Sequence, residues 1–239
     1  MRLYYCTRQR AGALTKECRS LRPRMSETDD AWTRSEKNKI IRSPHSAVCR
    51  SPTDRLELRL ALFGFHGVMH TLTFRDDCLP KNFAAVRKAL RAFLARLRRA
   101  YGNRPFDYVY IIEGKHGDHR FHIHLILNDK DFSRKQVETL WRQGRVEAEP
   151  ILKNSGGFRR LARYLNKERA DGLMIPVGRH AWSASRTLSA KLPPVERWKD
   201  PSGEIPVPRV VYWQTGAEIT NDFGEHYFKS WIALPILNL

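Results

Sequence analysis

Acidic residues are scarce in this sequence of 239: 25 Asp and Glu stand against 43 Lys and Arg, a formal net charge of +18. A chain so short of negative charge is not built for cationic partners. It attracts polyanions, because each phosphate it neutralises releases condensed counterions, and nucleic acid is the first partner to consider. Cysteine is sparse too. The four, at positions 6, 18, 49 and 78, form no C-x-x-C pair, which argues against a zinc ribbon or a disulfide scaffold and fits reduced thiols in a cytoplasm. No apolar run approaches the ~20 residues that span a bilayer, and no signal-peptide core opens the chain. A phosphate loop of the form G-x-x-x-x-G-K-S/T is missing, as is any repeat of fixed period. What remains is the expectation of a soluble, cytoplasmic protein whose 41% hydrophobic content is ordinary for one well-packed domain with extensions.

Residues 1–57 hold 13 basic and 7 acidic side chains without a sustained apolar period, and read as a flexible basic arm, with room for a short helix around DDAWTRSEKNKII. Regular patterning begins near residue 58. Residues 68–74 are apolar and β-branched, as a buried strand requires. Phe83, Val86, Leu90, Phe93, Leu94 and Leu97 then recur at steps of three and four, which predicts an amphipathic helix between Pro80 and Gly102. Its outer face carries Arg87, Lys88, Arg91, Arg96, Arg98 and Arg99 with no acid between residues 84 and 100. Such a face is either simply solvated or in contact with phosphate. FDYVYIIE (106–113) and HRFHIHLIL (119–127) read as a hairpin joined through GKHGD. DFSRKQVETLWRQG follows as a helix with Ser133 as N-cap and Gly144 as its stop, then RVEAEPIL as a strand and FRRLARYLNKERA as another helix. The order predicts an α+β fold over 58–190, an antiparallel central sheet with flanking helices mainly on one face. Residues 191–239 are Pro-rich and read as an accessory segment.

Side chains at i and i+2 of a strand share a face, so His122 and His124 converge while Phe121, Ile123, Leu125 and Leu127 form the opposite, core face. A single histidine on a sheet is ordinary; a same-face pair opposite an apolar row calls for a divalent metal. Glu113, at the end of the preceding strand, is carried by a hairpin to the same end of the sheet and supplies a third ligand. Two imidazoles and a carboxylate leave coordination positions open and suit Mg²⁺ or Mn²⁺ as well as Zn²⁺. His116 and His119 could instead join His122 and His124 in a zinc site, although four ligands within nine residues strain a closed tetrahedron. Further on, RYLNKE places Tyr164 and Lys167 on one helical face, with Arg160 extending the stripe. Cations beside a phenol favour its phenolate and can hold a phosphate for attack.

A strand with HTLTF, a strand ending in Glu113 that leads into His122-Ile123-His124, and a helix with YLNK, in this order, resemble the HUH endonucleases of the rolling-circle replication initiator (Rep) class. The resemblance covers about residues 65–190, and WSASRTL (182–188) is similar to a Ser-Arg segment that follows the tyrosine helix in phage and plasmid initiators. It implies a metal site of Glu113, His122 and His124 and a nucleophile Tyr164 with Lys167 orienting the phosphate or the tyrosine. It also implies a single-strand DNA surface built by His70, Thr71 and Thr73, to which Arg160 and Arg163 add charge and His116 and His119 a contact at the hairpin tip. Positions 160, 161, 167 and 168 hold no second tyrosine, as in single-tyrosine initiators. The implied activity is metal-dependent nicking and joining of origin single strand, with a host helicase and replication proteins supplying the unwinding. Two alternatives stay open: a single-tyrosine transposase, and a non-enzymatic RNA-recognition-like binder that stacks bases on Tyr108, Tyr110 and Phe121.

Overall fold

Alternation along residues 121–128 and the three-four periodicity of residues 83–100 meet in one apolar layer of a computed structural model that describes residues 3–42, 51–114, 120–152, 156–166 and 182–234. The elements in chain order are β1 (Tyr4–Ala11), β2 (Leu14–Leu21), α1 (Ala31–Ile41), α2 (Pro52–Ala61), β3 (Gly67–Thr73), α3 (Phe83–Ala100), β4 (Val109–Gly114), β5 (Phe121–Asn128), α4 (Arg134–Leu140), β6 (Val146–Pro150), α5 (Gly157–Leu165), β7 (Trp182–Ala184), α6 (Arg186–Ala190), β8 (Glu196–Asp200), β9 (Val211–Asn221) and β10 (Gly224–Ala233). They form an α+β architecture with two five-stranded antiparallel sheets, ordered β8-β1-β2-β10-β9 and β6-β3-β5-β4-β7. Among the described residues no helix is long and apolar enough to cross a membrane. The chain divides into two units, Met1–Leu58 with Pro193–Leu239, and Arg59–Leu192.

The first unit departs from the expectation of a flexible arm at 1–57 and an accessory tail at 191–239. Both segments are strands of the same sheet: β10 pairs with β2, and β8 with β1. Composition hides this because the charges that read as a solvated polymer are neutralised in place. Lys16 Nζ lies 2.8 Å from Asp54 and 2.7 Å from Glu57, and buried Glu17 accepts from Arg8 and Arg19 at 2.7 and 2.9 Å. Residues 16–20 of β2 are all buried, so the strand has no polar and apolar faces to alternate. The β1–β2 hairpin closes through a two-residue loop whose first position, Gly12, has φ +54°, a conformation that costs a side chain and suits glycine.

In the second unit Leu72, Ile112, Phe121, Ile123, Leu125 and Leu127 present one face of the sheet to Val86, Leu90, Phe93 and Leu97 of α3, forming the core with Val137 of α4. Asn82 caps α3, accepting from Ala85 N at 3.0 Å, and Ser133 with Gln136 forms a capping box on α4. Helix α4 stops at Leu140 rather than near Gly144. Trp141 leaves the helix with ψ 99°, packs between Phe74 and Phe93 at 5.2 and 5.1 Å, and donates its indole N–H to Thr73 O at 2.9 Å. The segment WSASRTL supplies β7 at the sheet edge beside β4 and, through Ser185, the cap of α6. The helices do not gather on one face, because α5 faces the side that carries His122 and His124.

His70 also departs from expectation. It pairs with Leu125, so it points to the core face, away from the two metal-site histidines, and is only 1% exposed. Neither ring nitrogen has a hydrogen-bond partner among the described residues. Burial, and then the charge of Arg134, lowers its pKa from 6.5 to about 4. The unfolded chain therefore takes up a proton between these two values that the folded one refuses. The resulting stability is complete above pH 6.5 and is lost as pH falls toward 4. We expect His70→Leu to narrow the drop in urea midpoint between about pH 7 and about pH 4.5 relative to wild type; an equal drop in both proteins contradicts a neutral, buried His70.

Candidate metal centre and nucleophile

Strands β4 and β5 pair so that Glu113 stands directly opposite His122 and Ile111 opposite His124. Paired residues of an antiparallel ladder point to the same face. The carboxylate thus meets both imidazoles: Glu113 Oε2 is 3.0 Å from His122 Nε2 and 3.2 Å from His124 Nε2. Burial raises the Glu113 carboxyl, but hydrogen bonds from His122 and His124 and their proximity outweigh it and hold the group at about 2. It is a carboxylate at any physiological pH. The three ligand atoms lie within 4.8 Å of one another. This donor set of two nitrogens and one ionised oxygen fits a divalent metal ion and leaves coordination positions open.

Thr71 stands opposite His124 on the other neighbouring strand, β3, with its hydroxyl oxygen 3.1 Å from His124 Nδ1. When Nε2 carries the proton and donates to Glu113, Nδ1 accepts from the threonine hydroxyl. When Nε2 is given to a metal, Nδ1 carries the proton and donates to the same oxygen, which serves either role. Thr71, expected only as a DNA contact, therefore fixes the orientation of the His124 ring.

Helix α5 brings the phenol. Its first residue, Gly157, has φ +55°, a left-handed value that lets the chain turn sharply into the helix. Phe158, Ala162 and Leu165 are buried, while Arg160, Leu161 and Tyr164 line a cavity of about 620 Å³ together with His122 and His124. Tyr164 is 53% exposed and its ring sits 6.4 Å from the His124 ring. Arg163, one position away on the helix, is exposed and does not line the cavity. The expected DNA contacts therefore separate: Thr71, Thr73 and Arg160 border the site, whereas His70 and Arg163 do not. Lys167, His116 and His119, and with the last two the alternative four-histidine zinc site, lie outside the described residues.

Other residues of the site went unread in the sequence. Glu147 and Glu149 of β6 pair with Thr71 and Met69 and line the same cavity; their i, i+2 spacing in RVEAEP was the available signal. A second cavity of about 610 Å³ shares Thr71 and His122 with the first and adds Thr73, Arg75, Arg120 and Arg145. The aromatic platform of the binding alternative is not on this surface. Phe121 is buried in the core on the opposite face, and Tyr108 and Tyr110 pack against that core.

Residues 67–169 match the replication-associated protein family of the ORF2 type. The match begins at β3 and contains Glu113, His122, His124 and Tyr164, and it supports a Rep-type protein of DNA replication. No curated protein and no solved structure matches the chain.

The Thr71 contact yields a direct expectation. Thr71→Val removes the partner of His124 Nδ1, and loss of such a partner typically weakens a metal site about 10- to 100-fold. Calorimetric titration with Mn²⁺ should show that loss, whereas Thr73→Val, whose hydroxyl instead faces Arg145 O at 3.3 Å, should bind like wild type. Equal affinities for all three proteins rule out the positioning role.

Proposed function

We propose that this protein is a rolling-circle replication initiator that nicks and rejoins single-stranded DNA at an origin through Tyr164. The observation that carries the reading is the Tyr164 ring 6.4 Å from His124, across a cavity also lined by His122 and Arg160. A nucleophile thus faces a three-ligand centre with a cation at the rim. Glu113, His122 and His124 hold a divalent metal, Mg²⁺ or Mn²⁺, which when bound draws charge from a non-bridging phosphate oxygen and leaves the phosphorus more electrophilic. Arg160 contributes positive charge for the same phosphate group. Lys167, three residues beyond Tyr164, orients the phosphate or the phenol, and His116 and His119 meet DNA at the β4–β5 turn.

The phenol oxygen of Tyr164 gives up its proton to solvent and forms a bond to phosphorus. The bond between phosphorus and the 3′ oxygen of the preceding nucleotide breaks, and that oxygen takes a proton to become a free 3′ hydroxyl. The downstream strand remains joined to Tyr164 through its 5′ phosphate. One phosphodiester has been exchanged for another, so a 3′ hydroxyl can later displace the tyrosine and reseal the strand without ATP. The free 3′ hydroxyl primes synthesis, with unwinding left to a host helicase.

The test is incubation with a library of single-stranded sites and Mn²⁺, followed by denaturing electrophoresis. Wild type should form a covalent protein–DNA adduct on a subset of sites. Tyr164→Phe should form none while still binding Mn²⁺, and His122→Ala should lose both. An adduct formed by Tyr164→Phe assigns the nucleophile elsewhere. Metal-independent binding with no adduct in wild type favours a non-enzymatic binder, and strand transfer between hairpin-flanked ends favours a transposase.

A further inference from the structure

The face of the sheet opposite the metal centre carries its own charged surface. Helix α3 buries Val86, Leu90, Phe93 and Leu97 and exposes Lys88, Arg91, Arg98 and Arg99 with Ala84, Ala92 and Ala95 between them. Eighteen residues make a rod of about 27 Å, and none is acidic. Arg98 and Arg99 complement the helix dipole at the C-terminal end. Lys88 and Arg91 have no such explanation, and they stand three residues apart, a like-charge spacing that works against the helix.

Solvation alone does not account for this face, because exposed cations elsewhere in the same unit are paired. Arg134 reaches Glu138 at 2.6 Å, Arg120 reaches Asp76 at 2.6 Å, and Arg75 reaches Asp77 at 3.2 Å. Among the described residues, Lys88, Arg91, Arg98 and Arg99 have no carboxylate partner. Arg142, just past α4, extends the patch. Burial and the charges of Arg142 and Arg99 pull Arg96 below its ordinary value, as expected of uncompensated positive potential.

We propose that the exposed face of α3 is a second nucleic-acid contact, which holds duplex DNA by its phosphates on the side of the sheet opposite Glu113, His122 and His124. Charge complementarity selects a polyanion, and side-chain chemistry selects its form. Single strands are held by stacking unpaired bases on aromatic rings, and the exposed positions of α3 and its cap offer only Lys, Arg, Asn and Ala. A duplex hides its bases and presents phosphates at fixed spacing, which long cations over a low alanine surface can reach. The contact is therefore independent of base sequence and dependent on salt.

The test uses the full chain and a blunt duplex of about 20 base pairs, with Kd measured across a salt series. The quadruple variant Lys88→Gln, Arg91→Gln, Arg98→Gln, Arg99→Gln should bind about 10- to 100-fold more weakly at low salt, with the slope of log affinity against log salt reduced by about 3. Ala92→Glu with Ala95→Glu, which keeps good helix formers at exposed positions, should weaken duplex binding in the same direction. Both variants should retain wild-type adduct formation on a short single-stranded site, which separates this contact from the chemistry at Tyr164. Unchanged duplex affinity and slope in both variants overturns the proposal. So does an equal loss for single strand and duplex, or a loss seen only toward anionic lipid vesicles.

Discussion

The register of β4 against β5 is the constraint on which the rest of the second unit depends. It sets Glu113 across from His122, and the same period of two that joins these side chains sends Phe121, Ile123, Leu125 and Leu127 into the core. A slip of one residue would put both imidazoles into the apolar layer and the leucines into solvent. Core packing therefore guards the metal geometry. The β3–β5 register adds Thr71 behind His124, so three adjacent strands fix one imidazole, and α5 has only to present Tyr164 over a surface already set.

The two scales of electrostatics in this molecule oppose each other. Between Arg59 and Leu192 there are 26 basic and 12 acidic residues, against 17 and 13 in the rest of the chain, so the unit with the candidate site carries most of the positive field. That field draws a polyanion in. Inside the cavity the sign reverses: Glu113 is ionised, and Glu147 and Glu149 share its face of the sheet. A phosphate admitted there needs a cation beside it, which gives physical sense to a divalent metal and to Arg160 at the rim. The sheet also separates this surface from α3, whose unpaired cations lie on the far side of the core.

Alternation made much of the second unit legible, since the paired strands β3 and β5 divide into a core face and a site face and α3 has a clean three-four repeat. It also shows where motif reading fails. HTLTF reads as one block, but parity divides it: Thr71 and Thr73 face the histidines, while His70 faces the core. The same holds for Arg160 and Arg163, three residues apart, of which only Arg160 lines the cavity. The first unit was illegible for another reason. Its strands bury Lys16, Glu17 and Arg19 in ion pairs, and three of its five strands come from residues beyond 193, so neither local composition nor local period carries the signal.

Every step proposed at Tyr164 requires Glu113, His122 and His124 to act together as ligands to one ion on the face that the phenol overlooks. Crystals soaked in Mn²⁺ and measured at the manganese absorption edge test this most directly. The expected result is a single strong anomalous peak bonded to the Glu113 carboxylate and to Nε2 of His122 and His124, absent in Glu113→Ala. A peak bound elsewhere, or a peak that persists at full height without Glu113, would contradict it.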